Sequence, residues 1–151
     1  MDTIIGTELN KLPEADLHKI GDLLYMYYPL QTLYRTSKGE LYMCNWMDHD
    51  DTYSRWLLFK VSHNTITNYL NNKLSDLGLL QTITTDFICF DVDENKNHRH
   101  IVACSLDDLP LSYLPKPSAI FDEDDSPDIK AIRAYLLENA PKTRPILEVS
   151  Y

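Results

Sequence analysis

The sequence is short of the residues from which most cofactor and catalytic motifs are built. Four glycines in 151 residues are too few for the Gly-rich loops that bring backbone N–H groups against phosphates, and neither the GxGxxG fingerprint nor a P-loop occurs. Ser62-His63 lacks the flanking glycines of a nucleophile turn. The three cysteines, Cys44, Cys89 and Cys104, are odd in number and widely separated, which fits buried thiols in a reducing compartment and opposes a disulfide framework or a zinc site. No apolar run approaches the ~18 residues of a membrane span, and the opening MDTIIGTELNK has no basic region followed by an apolar stretch. A cytoplasmic location is expected. Bases are scarce too: 14 Lys and Arg against 23 Asp and Glu leave a net charge of −9, which opposes binding to a phosphate backbone.

What is present is an ordinary globular composition, with 44% hydrophobic and 25% charged residues, and a length suited to one domain over residues 1–151. The organising stretch runs from Gly39 to Ser62. Leu41 and Met43 lie on one side of its first strand and Tyr42, Cys44 and Trp46 on the other, so that strand is apolar on both faces and belongs at the centre of a sheet. Asp48 to Thr52 makes the connection. The chain returns with Tyr53, Leu57, Phe59 and Val61 on one face and Trp56 and Leu58 on the other.

Around this hairpin the periods change. Leu17, Ile20, Leu24 and Tyr27 keep helical spacing behind Glu14 and Asp16, and predict a helix after Pro13, against Gly21 and an alternative strand pattern. LQTLYRT alternates with period two and leads through Gly39 into a hairpin. Ile66, Tyr69, Leu70 and Leu74 predict a helix capped by Ser62 or Asn64, with Ser75 capping a second turn. Another hairpin, TITTDFICFDV to HRHIVACSL, follows across DENKN. Residues 107–128 form a proline-rich strap whose apolar content marks an ordered loop. Ser126-Pro127-Asp128, with the serine as N-cap, proline at N1 and an acid in the first turn, predicts the start of a helix over about 127–139, stopped by Pro141, and RPILEVSY suits a closing edge strand. Residues 1–12 show no sustained period. The fold expected is α+β, a mostly antiparallel sheet of five to six strands with short helices on one face and a C-terminal helix.

Four patterns bear on chemistry. Asp91-x-Asp93-x-Asn95-x-Asn97 imitates a calcium loop but has Lys96 and Val102 where the glycine and bidentate glutamate belong, so a hairpin turn is expected. His98 and His100, two apart on a strand, would share a face, yet two ligands are too few and a third would have to come from His49, His63 or a carboxylate. Asp48, Asp50 and Asp51 lie between Trp46 and Trp56, where apolar neighbours can separate the pKa values of paired carboxylates. Finally, Asp107, Asp108, Asp122, Glu123, Asp124, Asp125 and Asp128 face only Lys116 within 107–128, so this strap carries −6 of the −9. With Tyr113 and Phe121 as anchors it suits a basic partner. If extended, Asp122 to Asp125 would match one DNA strand over only ~13 Å.

Tyr27-Tyr28-Pro29-Leu30, Gly39-x-Leu41-Tyr42, Trp46-x-Asp48-x-Asp50, Arg55-Trp56-Leu57-Leu58 with Val61-Ser62, and Asp108-Leu109-Pro110 with Tyr113-Leu114-Pro115 resemble a small bacterial domain family of unknown function over about residues 20–121. Tyr28 stands where that family has an acid or glycine. The resemblance implies a prokaryotic or phage-borne α+β domain and no activity. The reading is a non-enzymatic acidic interaction protein of the inhibitor, antitoxin or immunity kind, without a cofactor. It would bind a basic protein partner through Asp107, Asp108, Tyr113, Phe121, Asp122, Glu123, Asp124 and Asp125, with Asp48, Asp50 and Asp51 as a second surface. The alternative is a metal-dependent enzyme or nucleotide-binding domain built on Asp48, Asp50, His98 and His100.

Overall fold

The computed structural model describes residues 16–141; the expectations for residues 1–12 and for the closing strand fall outside them. Six strands, β1 (His18–Met26), β2 (Tyr28–Arg35), β3 (Leu41–His49), β4 (Tyr53–Val61), β5 (Phe87–Asp93) and β6 (His98–Cys104), form one antiparallel sheet in sequence order. Helices α1 (His63–Leu70) and α2 (Asp76–Gln81) join β4 to β5, and α3 (Ile129–Glu138) follows the strap. The fold is α+β. A meander alternates its turns, so the β1–β2, β3–β4 and β5–β6 turns gather at one end of the sheet, here called the tip end. The β2–β3 turn and the helical crossover lie at the other, the helix end.

The two-faced pattern of the central strands holds. Leu41, Met43, Leu57 and Phe59 pack with Ile66 and Tyr69 of α1, Leu79 and Leu80 of α2, and Ile132 and Leu136 of α3. Tyr34, Tyr42, Cys44, Trp56, Leu58 and Phe90 form a second cluster on the opposite face, drawn from strands alone among the described residues. Burial pushes the Cys44 thiol up to about 12, an inert thiol as expected. Ser62 and Ser75 cap α1 and α2 by accepting from the N–H groups of Thr65 and Gly78. The tighter link between α1 and α3 is His63, whose Nε2 donates to the Leu136 carbonyl at 2.6 Å.

The helix expected after Pro13 is instead strand β1. Irregularities between Lys19 and Gly21 and between Asp22 and Leu24 interrupt its pairing with β2, and these breaks erase the period-two signal while leaving apolar residues at helical intervals. Gly21 belongs to this strand for a steric reason: a Cβ there would lie 2.6 Å from Asp128 Cβ and 2.9 Å from Ile132 Cγ1. The start of α3 moves for the same contact. Ser126 Oγ donates to the Asp22 carbonyl at 2.7 Å, and Asp128 Oδ2 accepts from the Asp22 N–H at 2.7 Å. The expected cap serine is thereby committed to β1, and Asp128 stands at the N-cap without a capping bond.

Candidate functional site

At the tip end two bulges re-aim polar side chains. In β3 the pairing with β4 slips between Trp46 and Asp48, which brings Asp48 opposite Arg55; on the far side of β4, Arg55 pairs with Asp91 of β5. In β6 the slip lies between the partners of Cys89 and Asp91, and His100 takes the left-handed conformation at φ 54°, a place where glycine is the inexpensive residue. The outcome is a charged row across four strands. Arg55 forks onto Asp91 with Nε–Oδ1 at 2.7 Å and Nη2–Oδ2 at 3.0 Å, and His100 Nδ1 lies 2.9 Å from the same Oδ2. Arg55 Nη1 also donates to the Tyr113 hydroxyl at 2.7 Å, which pins the strap to the sheet.

The electrostatics of this row follow from the burial of Asp91 at its centre. Asp91 is 2% exposed; burial pushes its carboxyl up, but the hydrogen bonds and charges of Arg55 and His100 outweigh that and hold it below the usual carboxylate range. Its bidentate partner is driven the other way: Asp91 raises the Arg55 guanidinium further above its already high value. Asp50 is held low by the backbone N–H groups of Thr52 and Tyr53. Together Asp48, Asp50, Tyr53, Arg55, Asp91 and Tyr113 enclose a small pocket of about 80 Å³, too small for anything beyond a water or a single functional group.

The opposite face of the same end carries a larger trough of about 830 Å³, between Tyr28 and Pro29 of β2, Asp50 to Trp56, and Val92 to His98. Its floor holds Trp56 and Val92. Its rim holds Asp50, Asp51, Asp93 and Glu94 with Lys96 and His98, and Asp93 is itself paired with Arg99 at 2.7 Å. Beside it the β1–β2 turn projects Tyr25, Met26, Tyr27 and Tyr28, exposed by 45%, 56%, 96% and 52%. Tyr27 and Lys96 sit at φ 66° and 67°.

The structure divides the residues expected to bind a partner. Asp48, Asp50 and Asp51 are exposed at the tip, and Tyr113 joins them through Arg55. Phe121 is a correction: at 5% exposure it is core, packed against the Tyr69 ring, and cannot anchor a partner. Several strap acids hold the strap's own backbone. Asp108 accepts from the N–H and hydroxyl of Ser105, Asp122 accepts from the Asp124 N–H, and Glu123 pairs with Arg133 at 3.3 Å. Asp107, Asp124 and Asp125 are exposed, and their side chains make no hydrogen bond or ion pair among the described residues. Glu123–Asp125 is a 3-10 turn, so the four acids do not lie along an extended line as a DNA strand would.

His98 and His100 do not share a face. The bulge places His98 against Phe90 of the second cluster, with ring centroids 5.4 Å apart, and His100 against Asp91. His63 is committed to Leu136 and His49 stacks near Trp46 at 5.6 Å; among the described residues no group of three or more His, Cys, Asp or Glu is arranged to hold a metal ion. The calcium-like run is a turn: Asp93 Oδ1 accepts from the N–H groups of Asn95 and Asn97, and Oδ2 from Arg99. Residues that sequence reasoning did not assign to a site are Arg55, Glu94, the tyrosines of the β1–β2 turn, and Asp91 and Asp93, which it weighed only as a calcium-like run. A signal existed for Arg55 and Asp91, since unlike charges interrupt two otherwise apolar strands, SRWLLF and FICFDV.

No family model, curated protein or solved structure matches this chain. Among the described residues no helix is long and apolar enough to cross a membrane.

Proposed function

We propose that this protein is a non-enzymatic interaction module that recognises a basic protein partner through the tip end of its sheet, in keeping with the inhibitor and immunity class. The observation that carries this reading is the trough with an apolar floor, whose rim sets Asp50, Asp51 and Glu94 against Lys96 while Asp93 is paired with Arg99, beside three exposed tyrosines. Aromatic anchors next to ionised carboxylates are the composition of hot spots toward Lys- and Arg-rich surfaces. The tyrosines cost little side-chain entropy to order, since each has two χ angles. Asp50 supports the reading because its backbone hydrogen bonds keep it charged well into acid. The reading moves the expected surface from the strap to the hairpin tips, because there the carboxylates lie beside exposed aromatic side chains, whereas Phe121 of the strap is core.

The test is a titration of a fluorescent decapeptide of alternating Arg and Leu against the full chain. Binding should weaken as salt rises, and it should fall at least tenfold in the triple variant Asp50→Lys, Asp51→Lys, Glu94→Lys, while Asp122→Lys with Asp124→Lys changes it less than threefold. Equal losses from the two sets, or no binding by the unaltered chain, would overturn the proposal.

A further inference from the structure

The two edges of the sheet are finished differently. At the β1 edge the strap engages the strand backbone: Ser126 Oγ donates to the Asp22 carbonyl and the Asp22 N–H donates to Asp128 Oδ2, both at 2.7 Å. At the β6 edge, residues 101–104 make no backbone hydrogen bond on their outward side among the described residues. Alternate residues of such a strand turn their N–H and C=O groups outward, which makes the edge a template for another strand. The devices that usually blunt an edge are missing from it. Ile101-Val102-Ala103-Cys104 contains no proline and no charge, and the bulge opposite Phe90 lies on the tip side of Val102, so that Val102, Ala103 and Cys104 pair regularly with β5. Val102 is 55% exposed, and Ala103 is exposed as well.

The flanking charges say what fits this edge. Arg99 and Asp107 stand equally far from Ala103 on either side of it. When two β6 strands pair antiparallel about Ala103, residues equidistant from the centre approach each other, and Arg99 of each copy meets Asp107 of the other. A parallel pairing sets Arg99 beside Arg99 and Asp107 beside Asp107, which is unfavourable. Both groups are available for the antiparallel contact. Asp107 makes no hydrogen bond or ion pair among the described residues, and Arg99 gives its Nε to Asp93 at 2.7 Å, leaving both Nη groups without a bond among them.

We infer that the β6 edge binds a second copy of this chain: two β6 strands pair antiparallel about a two-fold axis at Ala103 and join the two sheets into one. Val102 then lies opposite Cys104 of the second copy, on the helix-bearing face to which Cys104 belongs. Because the strands run in opposite directions, the two tip ends stand at opposite ends of the joined sheet and both troughs stay open. This inference is therefore independent of the basic-partner reading. A pairing this short belongs among the smallest interfaces, so the dimer is weak and its population depends on concentration.

The test is sedimentation velocity of the full chain over a concentration series from ~10 to ~500 μM, the range a weak interface calls for, at about 0.15 M salt. The sedimentation coefficient should rise from the monomer value to the dimer value across the series. Ala103→Lys, at an exposed position, sets two ammonium groups face to face across the axis and should weaken dimerisation at least tenfold, while Ala103→Ser stays within threefold. Asp107→Lys should weaken it at least threefold, and Asp124→Lys, the same charge change at another exposed acid of the strap, should stay within twofold. Residues directly opposite in an antiparallel pair have Cα atoms ~4.5–5.5 Å apart, within reach of a disulfide. Ala103→Cys should therefore give a disulfide-linked dimer on mild oxidation, in a yield well above that of the unaltered chain. A monomer at every concentration, a dimer unchanged by Ala103→Lys, or no added cross-link in Ala103→Cys would overturn the inference. The triple variant Asp50→Lys, Asp51→Lys, Glu94→Lys should dimerise as the unaltered chain does, which separates a failure at the edge from a failure at the tip.

Discussion

The two ends of the sheet solve the same problem, turning one strand into the next, with different residues. At the helix end the β2–β3 turn places Gly39 at φ 84°, and the exits from β4 and α1 are capped by Ser62 and Ser75. At the tip end the corresponding left-handed positions are filled by Tyr27, Lys96 and His100. Each non-glycine residue there costs ~1–2 kcal/mol. Two bulges and an Arg–Asp–His row centred on the buried Asp91 are found at that end as well. At the helix end the one non-glycine residue with positive φ among the described residues is Asn72 at 60°, a type that tolerates this region; at the tip end types that do not are placed there repeatedly, and departures that the rest of the fold must hold in place concentrate where a protein acts.

Substitutions can break or sharpen this contrast. The largest loss should come from the regular core: Leu57→Ala, at a side chain 0% exposed, is expected to cost ~2–5 kcal/mol in urea unfolding, and a smaller cost than any tip-end change would erase the contrast. Gly21→Val belongs with it, because the added atoms meet Asp128 and Ile132; a variant that folds with unchanged midpoint would contradict the close approach of α3 to β1.

Arg55→Ala should cost less, ~1–3 kcal/mol. It leaves the buried Asp91 with only His100, and the arginine side chain is itself 40% exposed, so solvent screening reduces the loss. Acid unfolding reads the same pair from the carboxylate's side. The folded-state pKa of Asp91 is depressed, so its contribution is complete at neutral pH and above the ordinary carboxylate value and is lost as pH falls through the depressed one. Asp91→Asn should therefore flatten, without abolishing, the decline of stability below about pH 4, since Asp50 and Asp93 titrate with the same sign.

The smallest effect is also the most specific to the tip. His100→Gly should be more stable than His100→Ala by ~1 kcal/mol, because both lose the Asp91 contact and only alanine keeps the left-handed strain. If glycine also equals or exceeds histidine in stability, the histidine is retained for something other than the fold. Equal stability of the two variants would show that the bulge relaxes and that φ 54° is not imposed by the sheet.

Much of the fold was legible because burial and period coincide in its central strands. Leu41 and Met43 against Tyr42 and Cys44 announce a strand covered on both faces, and Ser62 announces α1. Where long-range contacts override local pattern, legibility ends. β1 reads as helical because its bulges break alternation, and Ser126 reads as a helix cap although it is drawn to the Asp22 carbonyl 104 residues away. The candidate site was visible only in part. Asp48 and Asp50 were identifiable as acids near aromatics and Tyr113 as an aromatic of the acidic strap, but one inserted residue in β6 turns His100 away from the face of His98, and period-two reasoning has no means of placing a bulge. The tyrosines of the β1–β2 turn were hidden by the helical reading of β1, which counts Tyr27 in a buried stripe with Leu17, Ile20 and Leu24 instead of at a hairpin tip.

The most direct test of the central claim is residue-level mapping by amide chemical shifts of the full chain as the Arg-Leu decapeptide is added. The account predicts that the amides of Tyr25 to Tyr28, Asp50 to Tyr53 and Asp93 to Lys96 move together and saturate, while those of Asp107, Asp108 and Glu123 to Asp125 stay still. Shifts confined to the strap, with the hairpin tips unmoved, would contradict it.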